Sequence, residues 1–187
     1  MKQPINSTKK IEELSSIDMN MNQNTIDFTD ARDGKSYKTI RIGNQIIMAE
    51  NLAFRPIIGV YYAYDEKQAK VSKYGYLYDW ETAKKIGDNI KGWHLPTKEE
   101  WDAVFNVLGN EKMDSLNINN GFNALFGGYL SDIGTFICAG ERDCFWSSTK
   151  IDNNHAWGLM MNEHEKDPIP TVFDCRCGLS IRLFKNK

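Results

Sequence analysis

The densest run of chemistry-capable side chains lies late in the chain. Asp152, Asn153, Asn154 and His155 are consecutive, Trp157 follows, and Glu163 and His164 come soon after. Amide, carboxylate and imidazole groups beside an indole suit sugar hydroxyls or a peptide, the ring stacking while the polar groups hydrogen bond. These seven residues are the candidate ligand-binding set. Asp152, Asn153, Asn154 and Glu163 also offer the oxygen ligands calcium takes. Glu163, His164 and Glu165 are consecutive, however, and on a strand they cannot all face one ion.

Cysteine is the other reactive residue. Cys138 and Cys144 flank AGERD, which reads as a hairpin tip, and a bridge there would add roughly 2 kcal/mol by loop closure. Cys175 and Cys177, two apart, would be strained as partners and read as free thiols. Neither spacing is that of a zinc site. His94, beside Trp93, reads as a hydrogen-bonding residue inside a turn. HExxH, a phosphate-binding glycine loop and a nucleophile elbow are all missing from the sequence. No cofactor and no metal are expected.

Composition narrows the partners. With 187 residues the chain is long enough for one domain with a real core. Five Trp, eight Tyr and nine Phe make that core aromatic. A net charge of -2 with mixed signs argues against a general nucleic-acid surface. No apolar run approaches the ~20 residues that span a membrane. The opening MKQPINSTKKIEELSS lacks the apolar stretch of a signal peptide, which fits a cytoplasmic protein or a trimmed mature one.

The elements that must position these residues are readable in order. Residues 1–27 are polar and aperiodic, as in a tail or linker, and 28–187 form one domain. Tyr37 to Ile42 and Gln45 to Ala49 pair as a hairpin across Gly43-Asn44. Residues 53–74 form a long aromatic connection packed down on the body. Asp79 caps a short helix from Trp80 to Ile86 that Gly87 stops. The best-specified segment is GWHLPTKEEWDAVFNVLG. Thr97 and Glu100 make a capping box, and Pro96 can staple to Trp101. Trp101, Val104, Phe105 and Leu108 then share one helical face, which Gly109 ends. GFNALFGGYL should bring backbones close at Gly127-Gly128, and CFWSST, AWGLMM and GLSIRLF read as strands. Trp93, Trp101, Trp146, Phe122 and Leu125 should be core, and Arg182 should be buried against Asp79 or Glu50. A hairpin, two helices and a strand-rich half make an α+β domain.

DGKSYKTIRIGNQIIMAENL, YGYLYDWETA, GWHLPTKEEW, NNGFNALFGG, FWSST and GLSIRLF, taken in order, resemble the blocks of the Fibrobacter succinogenes major paralogous (FISUMP) domain over about residues 30–185. Two departures are Ile47, where the family usually has Trp, and Leu183, where many members have Cys. The resemblance implies a C-type-lectin-like fold akin to formylglycine-generating enzymes, with two helices on a small twisted antiparallel sheet and long loops. It also implies a bacterial surface or secreted setting, typical of Bacteroidetes lipoproteins. The triplets that hold calcium in sugar-binding lectins, Glu-Pro-Asn and Trp-Asn-Asp, are absent here.

Three functions follow as expectations. The first is a non-catalytic, extracytoplasmic adhesion module whose loops take a glycan or protein ligand. The second is a formylglycine-generating-like oxidase, in which Cys138 and Cys144 would hold copper as soft thiolate ligands. The third is a structural module of a surface assembly, making contacts along its loop at 54–64.

Overall fold

The computed structural model describes residues 27–108, 121–164 and 168–187. Residues 1–26 of the proposed tail at 1–27, the glycine stop at Gly109 and Glu165 lie outside the described residues, and so does the side chain of Leu108.

The chain begins with short strands: β1 (Phe28–Thr29), β2 (Ser36–Tyr37), β3 (Thr39–Ile42) and β4 (Gln45–Met48). β3 and β4 form the expected hairpin, with Ile42 opposite Gln45 and Gly43 at φ 57 in the turn. Next come β5 (Tyr61–Tyr62), two 3-10 turns, α1 (Val71–Tyr74), β6 (Leu77–Tyr78), α2 (Trp80–Asp88), β7 (Trp93–His94) and α3 (Lys98–Leu108). The second half holds β8 (Tyr129–Leu130), β9 (Phe136–Ile137), β10 (Arg142–Lys150), β11 (His155–Asn162), β12 (Ile169–Asp174) and β13 (Phe184–Lys185). The architecture is α+β with several small antiparallel sheets. The two larger ones have the strand orders β3-β4-β13-β7 and β10-β11-β12.

α3 sits where these sheets meet because its ends and its apolar face are both specified locally. Thr97 Oγ1 accepts from the Glu100 backbone N–H at 3.2 Å, and Glu100 Oε2 accepts from the Thr97 N–H at 2.9 Å. That reciprocal pair satisfies two otherwise orphaned donors. The helix lies against β3, β10 and β11. Trp101 is 2 % exposed, and its ring meets Phe184 at 4.8 Å and stacks on Phe105 at 5.9 Å. Ile40, Ile42 and Ile47 of one sheet, and Phe145, Leu159 and Met161 of the other, close the same cluster. Ile47 is fully buried opposite Phe184.

α2 departs from expectation at its end. Asp79 caps it, accepting from Thr82 N–H at 2.8 Å, but the helix runs on to Asp88. Gly87 is an interior residue, not a stop. A Cβ there would fall 2.6 Å from the backbone nitrogen of Leu95, so glycine lets β7 and its continuation pack directly on the helix. Gly128 shows the expected close approach: its Cβ would meet the Ile137 carbonyl at 2.4 Å. Trp93, Trp146 and Phe122 are buried as expected, whereas Leu125 is only half-buried. GLSIRLF is held mostly by single bridges, with Leu179 opposite Tyr78 and Ser180 beside Phe145, and only Phe184 and Lys185 make a strand.

Candidate functional site

The late polar residues fall in two places. Asp152, Asn153 and Asn154 form the exposed turn between β10 and β11, and His155 opens β11. Asp152 Oδ1 accepts from the backbone N–H groups of Asn154 and His155 at 2.7 and 2.8 Å, and lies 3.0 Å from His155 Nδ1. These bonds hold the Asp152 carboxyl below its ordinary range. The acid is committed to shaping its own turn. Glu163 and His164 lie beyond the far end of β11, and the full length of that extended strand separates them from Asp152. Trp157 lies between the two groups, half-buried, with Lys98 Nζ 5.4 Å from its ring centroid. The geometry therefore divides six of the seven candidates between two ends of one hairpin, with Trp157 at neither. Among the described residues, no group of three or more His, Cys, Asp or Glu is placed to hold a metal.

All four cysteines are free thiols, so the Cys138–Cys144 bridge is not formed. The reason is topological. β9 pairs back onto β8 while β10 pairs forward with β11, so AGERD links different sheets and is not the tip of a hairpin. Cys138 takes a left-handed φ of 62 in that turn, and Cys144 points into the core. Burial pushes the Cys144 thiol well above its usual range, with Asp143 adding to the effect. A metal-binding thiolate needs the opposite environment.

Arg182 is fully buried, but its partners are not the carboxylates expected. Neither Asp79 nor Glu50 bonds to it. Nε donates to Asn51 Oδ1 at 2.7 Å, Nη2 to the Asn123 carbonyl at 2.9 Å, and Nη1 to the Phe122 carbonyl. The guanidinium also lies 4.5 Å from the Phe122 ring centroid. Burial draws its pKa down to about 10, opposed by the charges of Asp143 and Glu50. Asp143 is the buried acid nearby. Burial pushes its carboxyl up to about 6, against the pull of Arg182 and of the Leu125 N–H, which donates to Oδ2 at 3.0 Å. Its Oδ1 and the Nε of Arg142 have no hydrogen-bond partner among the described residues.

The bonds of Arg182 fix two walls of an open cleft of about 610 Å³ that lies apart from all the residues singled out in the sequence as ligand-binding. Asn51 belongs to one wall and Asn123 to the other. Lys35, Glu50, Gln68, Ser72 and Lys73 also line it. Its residues are drawn from the first strands, the long connection and the segment after α3, so no local pattern announces it.

A second feature is the loop after Phe54. Ile57 and Ile58 are 102 % and 83 % exposed, between Pro56 and Gly59. The expectation of a loop packed down on the body holds for Tyr64, which is buried, and fails for this tip. Both feet of the tip are anchored. Tyr78 Oη donates to the Phe54 carbonyl at 2.7 Å, and Arg32 lies 3.8 Å over the Phe54 ring. At the other foot, Thr82 Oγ1 accepts from Val60 N–H at 2.8 Å and the Val60 carbonyl accepts from Asp79 N–H at 3.2 Å. Gly59, at φ 139, leaves no space for a Cβ, which would fall 2.6 Å from Thr82 Oγ1. Two adjacent isoleucines flanked by Pro and Gly, outside any period, are the signal in the sequence.

No helix among the described residues is long and apolar enough to cross a membrane. No curated protein and no solved structure matches the chain. A family model described as the Fibrobacter succinogenes major domain matches residues 40–120, from the β3–β4 hairpin through α3. Of the blocks that suggested this family on sequence grounds, those at 74–83 and 92–101 and most of the one at 33–52 lie inside this match, and over residues 40–120 the chain carries a Fibrobacter succinogenes major domain.

Proposed function

We propose that this domain is a non-catalytic binding module of the bacterial cell surface, with a C-type-lectin-like fold, that engages a protein partner through the loop at 54–60. One observation carries the reading: Ile57 and Ile58 are held bare on a loop anchored at both feet. Burying an isoleucine side chain is worth about 1.5–3 kcal/mol, so leaving two in water on a well-anchored tip forgoes stabilisation that a partner can recover. Because the tip is already shaped, little ordering entropy opposes docking. Arg55, exposed beside it, donates to Tyr61 Oη at 3.2 Å and forms no ion pair among the described residues. The complementary surface is thus an apolar pocket with a carboxylate on its rim.

A photo-crosslinking amino acid at position 58, in cells that make the protein, tests this. One discrete protein adduct, missing when the crosslinker stands at exposed Glu99 on α3, is the expected result. No adduct at 58, or the same adducts from both positions, would reject the reading.

A further inference from the structure

We propose that the cleft braced by Arg182 is a second binding site, independent of the isoleucine tip, and that it takes a short acidic saccharide carrying a uronic-acid carboxylate. The cleft, at about 610 Å³, has the size of a small-ligand site. Its lining is amphipathic. Ala53, Val71, Gly75 and Leu125 supply apolar surface, while ammonium, carboxylate, amide and hydroxyl groups surround them. A sugar ring matches that pattern, with hydroxyls on its edges and C–H groups on its faces.

The polar groups have capacity to spare. Gln68 spends one amide N–H on Tyr76 Oη at 2.7 Å, leaving a second N–H and its carbonyl. Ser72 Oγ donates to the Ala69 carbonyl at 3.2 Å and can still accept. Glu50 gives one oxygen, Oε2, to the Lys38 N–H at 2.7 Å and keeps the other. Glu50 has no ion pair among the described residues and its free oxygen can accept from a sugar hydroxyl, so the lysines decide whether the ligand carries a charge. Lys35 is already neutralised by Asp33 at 3.4 Å and bonded to the Ala53 carbonyl. Lys73 has no ion pair among the described residues and lies 4.8 Å from the Tyr74 ring. It is the cation of the cleft that lacks a counter-ion, and a carboxylate on the ligand would supply one.

The cleft is also pre-shaped. Arg182 ties Asn51 on one wall to the Asn123 carbonyl on the other, and Asn51 Nδ2 donates to the Tyr74 carbonyl at 3.0 Å. Asn123 is held at a left-handed φ of 55, a conformation that costs free energy and persists because the guanidinium grips it.

The test is an amide-detected NMR titration of the full chain with digalacturonate, and in parallel with neutral galactobiose. Saturable shifts at Gln68, Ser72, Lys73 and Asn123 are expected, with digalacturonate at least tenfold tighter. Lys73→Ala should lower digalacturonate affinity tenfold or more, bring it close to that of galactobiose, and leave the melting temperature unchanged. Saturation without shifts in the cleft, no saturation, or equal affinity for the two sugars would overturn the proposal. The Ile57→Ser/Ile58→Ser variant should titrate like the wild type. Failure of this site is thereby read separately from failure of the protein-binding loop.

Discussion

Arg182 Nε donates to Asn51 Oδ1 at 2.7 Å across 131 positions of the sequence, joining the last strand-like segment to the end of the β3–β4 hairpin. The same guanidinium holds the carbonyls of Phe122 and Asn123. A single buried cation therefore ties three distant segments together. Replacing it by Met should leave those acceptors unsatisfied in the interior and cost roughly 3–5 kcal/mol. Arg182→Lys should recover only part of that, because an ammonium cannot match the planar fork. Urea unfolding measures both. Amide hydrogen exchange at Phe122–Leu125 should rise more than at α2 in each variant, and a loss below about 1 kcal/mol would contradict the assignment.

Asp143 should titrate near pH 6, as burial has raised it. With the folded value above the unfolded one, the folded protein holds a proton that the unfolded chain releases. This group therefore lowers stability as pH rises from about 4 to 6, by an amount on the order of 3 kcal/mol. A carboxyl-detected NMR titration checks the midpoint. Relative to Asp143→Asn, the wild type should lose stability across that window and run parallel above it. A midpoint near 4 would mean that Arg182 compensates the burial fully.

His94 and Glu100 make a pH-dependent cap on α3. His94 Nε2 lies 2.8 Å from Glu100 Oε2, and Nδ1 lies 2.7 Å from Asn186 Oδ1. The bond to Glu100 raises the imidazole, although burial opposes it. For Glu100, burial pushes up, but the bonds from His94 and the Thr97 N–H outweigh it and the net shift is downward. The stabilisation from His94 is full below its unfolded value near 6.5 and is lost as pH rises through its raised folded value. That from Glu100 is present above its unfolded value near 4.5 and is lost as pH falls through its lowered folded value. Glu100→Gln should cost about 1 kcal/mol at pH 5.5 and less by pH 9. Thermal melts at the two pH values decide this, and an equal cost at both would remove the ion pair from the account.

Trp101→Ala should cost about 3–5 kcal/mol through cavity formation. The indole contacts rings from α3, β10 and β13, so partial collapse cannot refill its volume. Chemical denaturation measures the loss. A value below about 1 kcal/mol would mean that α3 does not anchor the two sheets.

What is legible in the sequence is local. The hairpin at 39–48 follows from alternation around Gly43-Asn44, and the α3 cap from Thr97 and Glu100 three residues apart, because each signal lies within one turn of backbone. Gly87 reads as a stop because its real reason is tertiary: the residue that needs the space is Leu95, on the next element. Arg182 is inside, as its apolar neighbours suggest, yet three of its acceptors are backbone carbonyls that carry no side-chain signature. The candidate site is the least legible part. Residues 152–164 look adjacent in the chain, but an extended strand spaces them out, while the cleft gathers residues from Lys35 to Leu125 that no window could show. Ile57 and Ile58 stand out as a pair, but the aromatic content of their neighbours points to a packed loop instead.

The most direct test of the protein-binding account uses the partner captured at position 58, purified and titrated against the wild-type chain and the Ile57→Ser/Ile58→Ser variant. Burial of the two side chains predicts an affinity loss of about 100-fold or more, from roughly 3 kcal/mol or above, with the melting temperature unchanged. Equal affinity of the two proteins would contradict it.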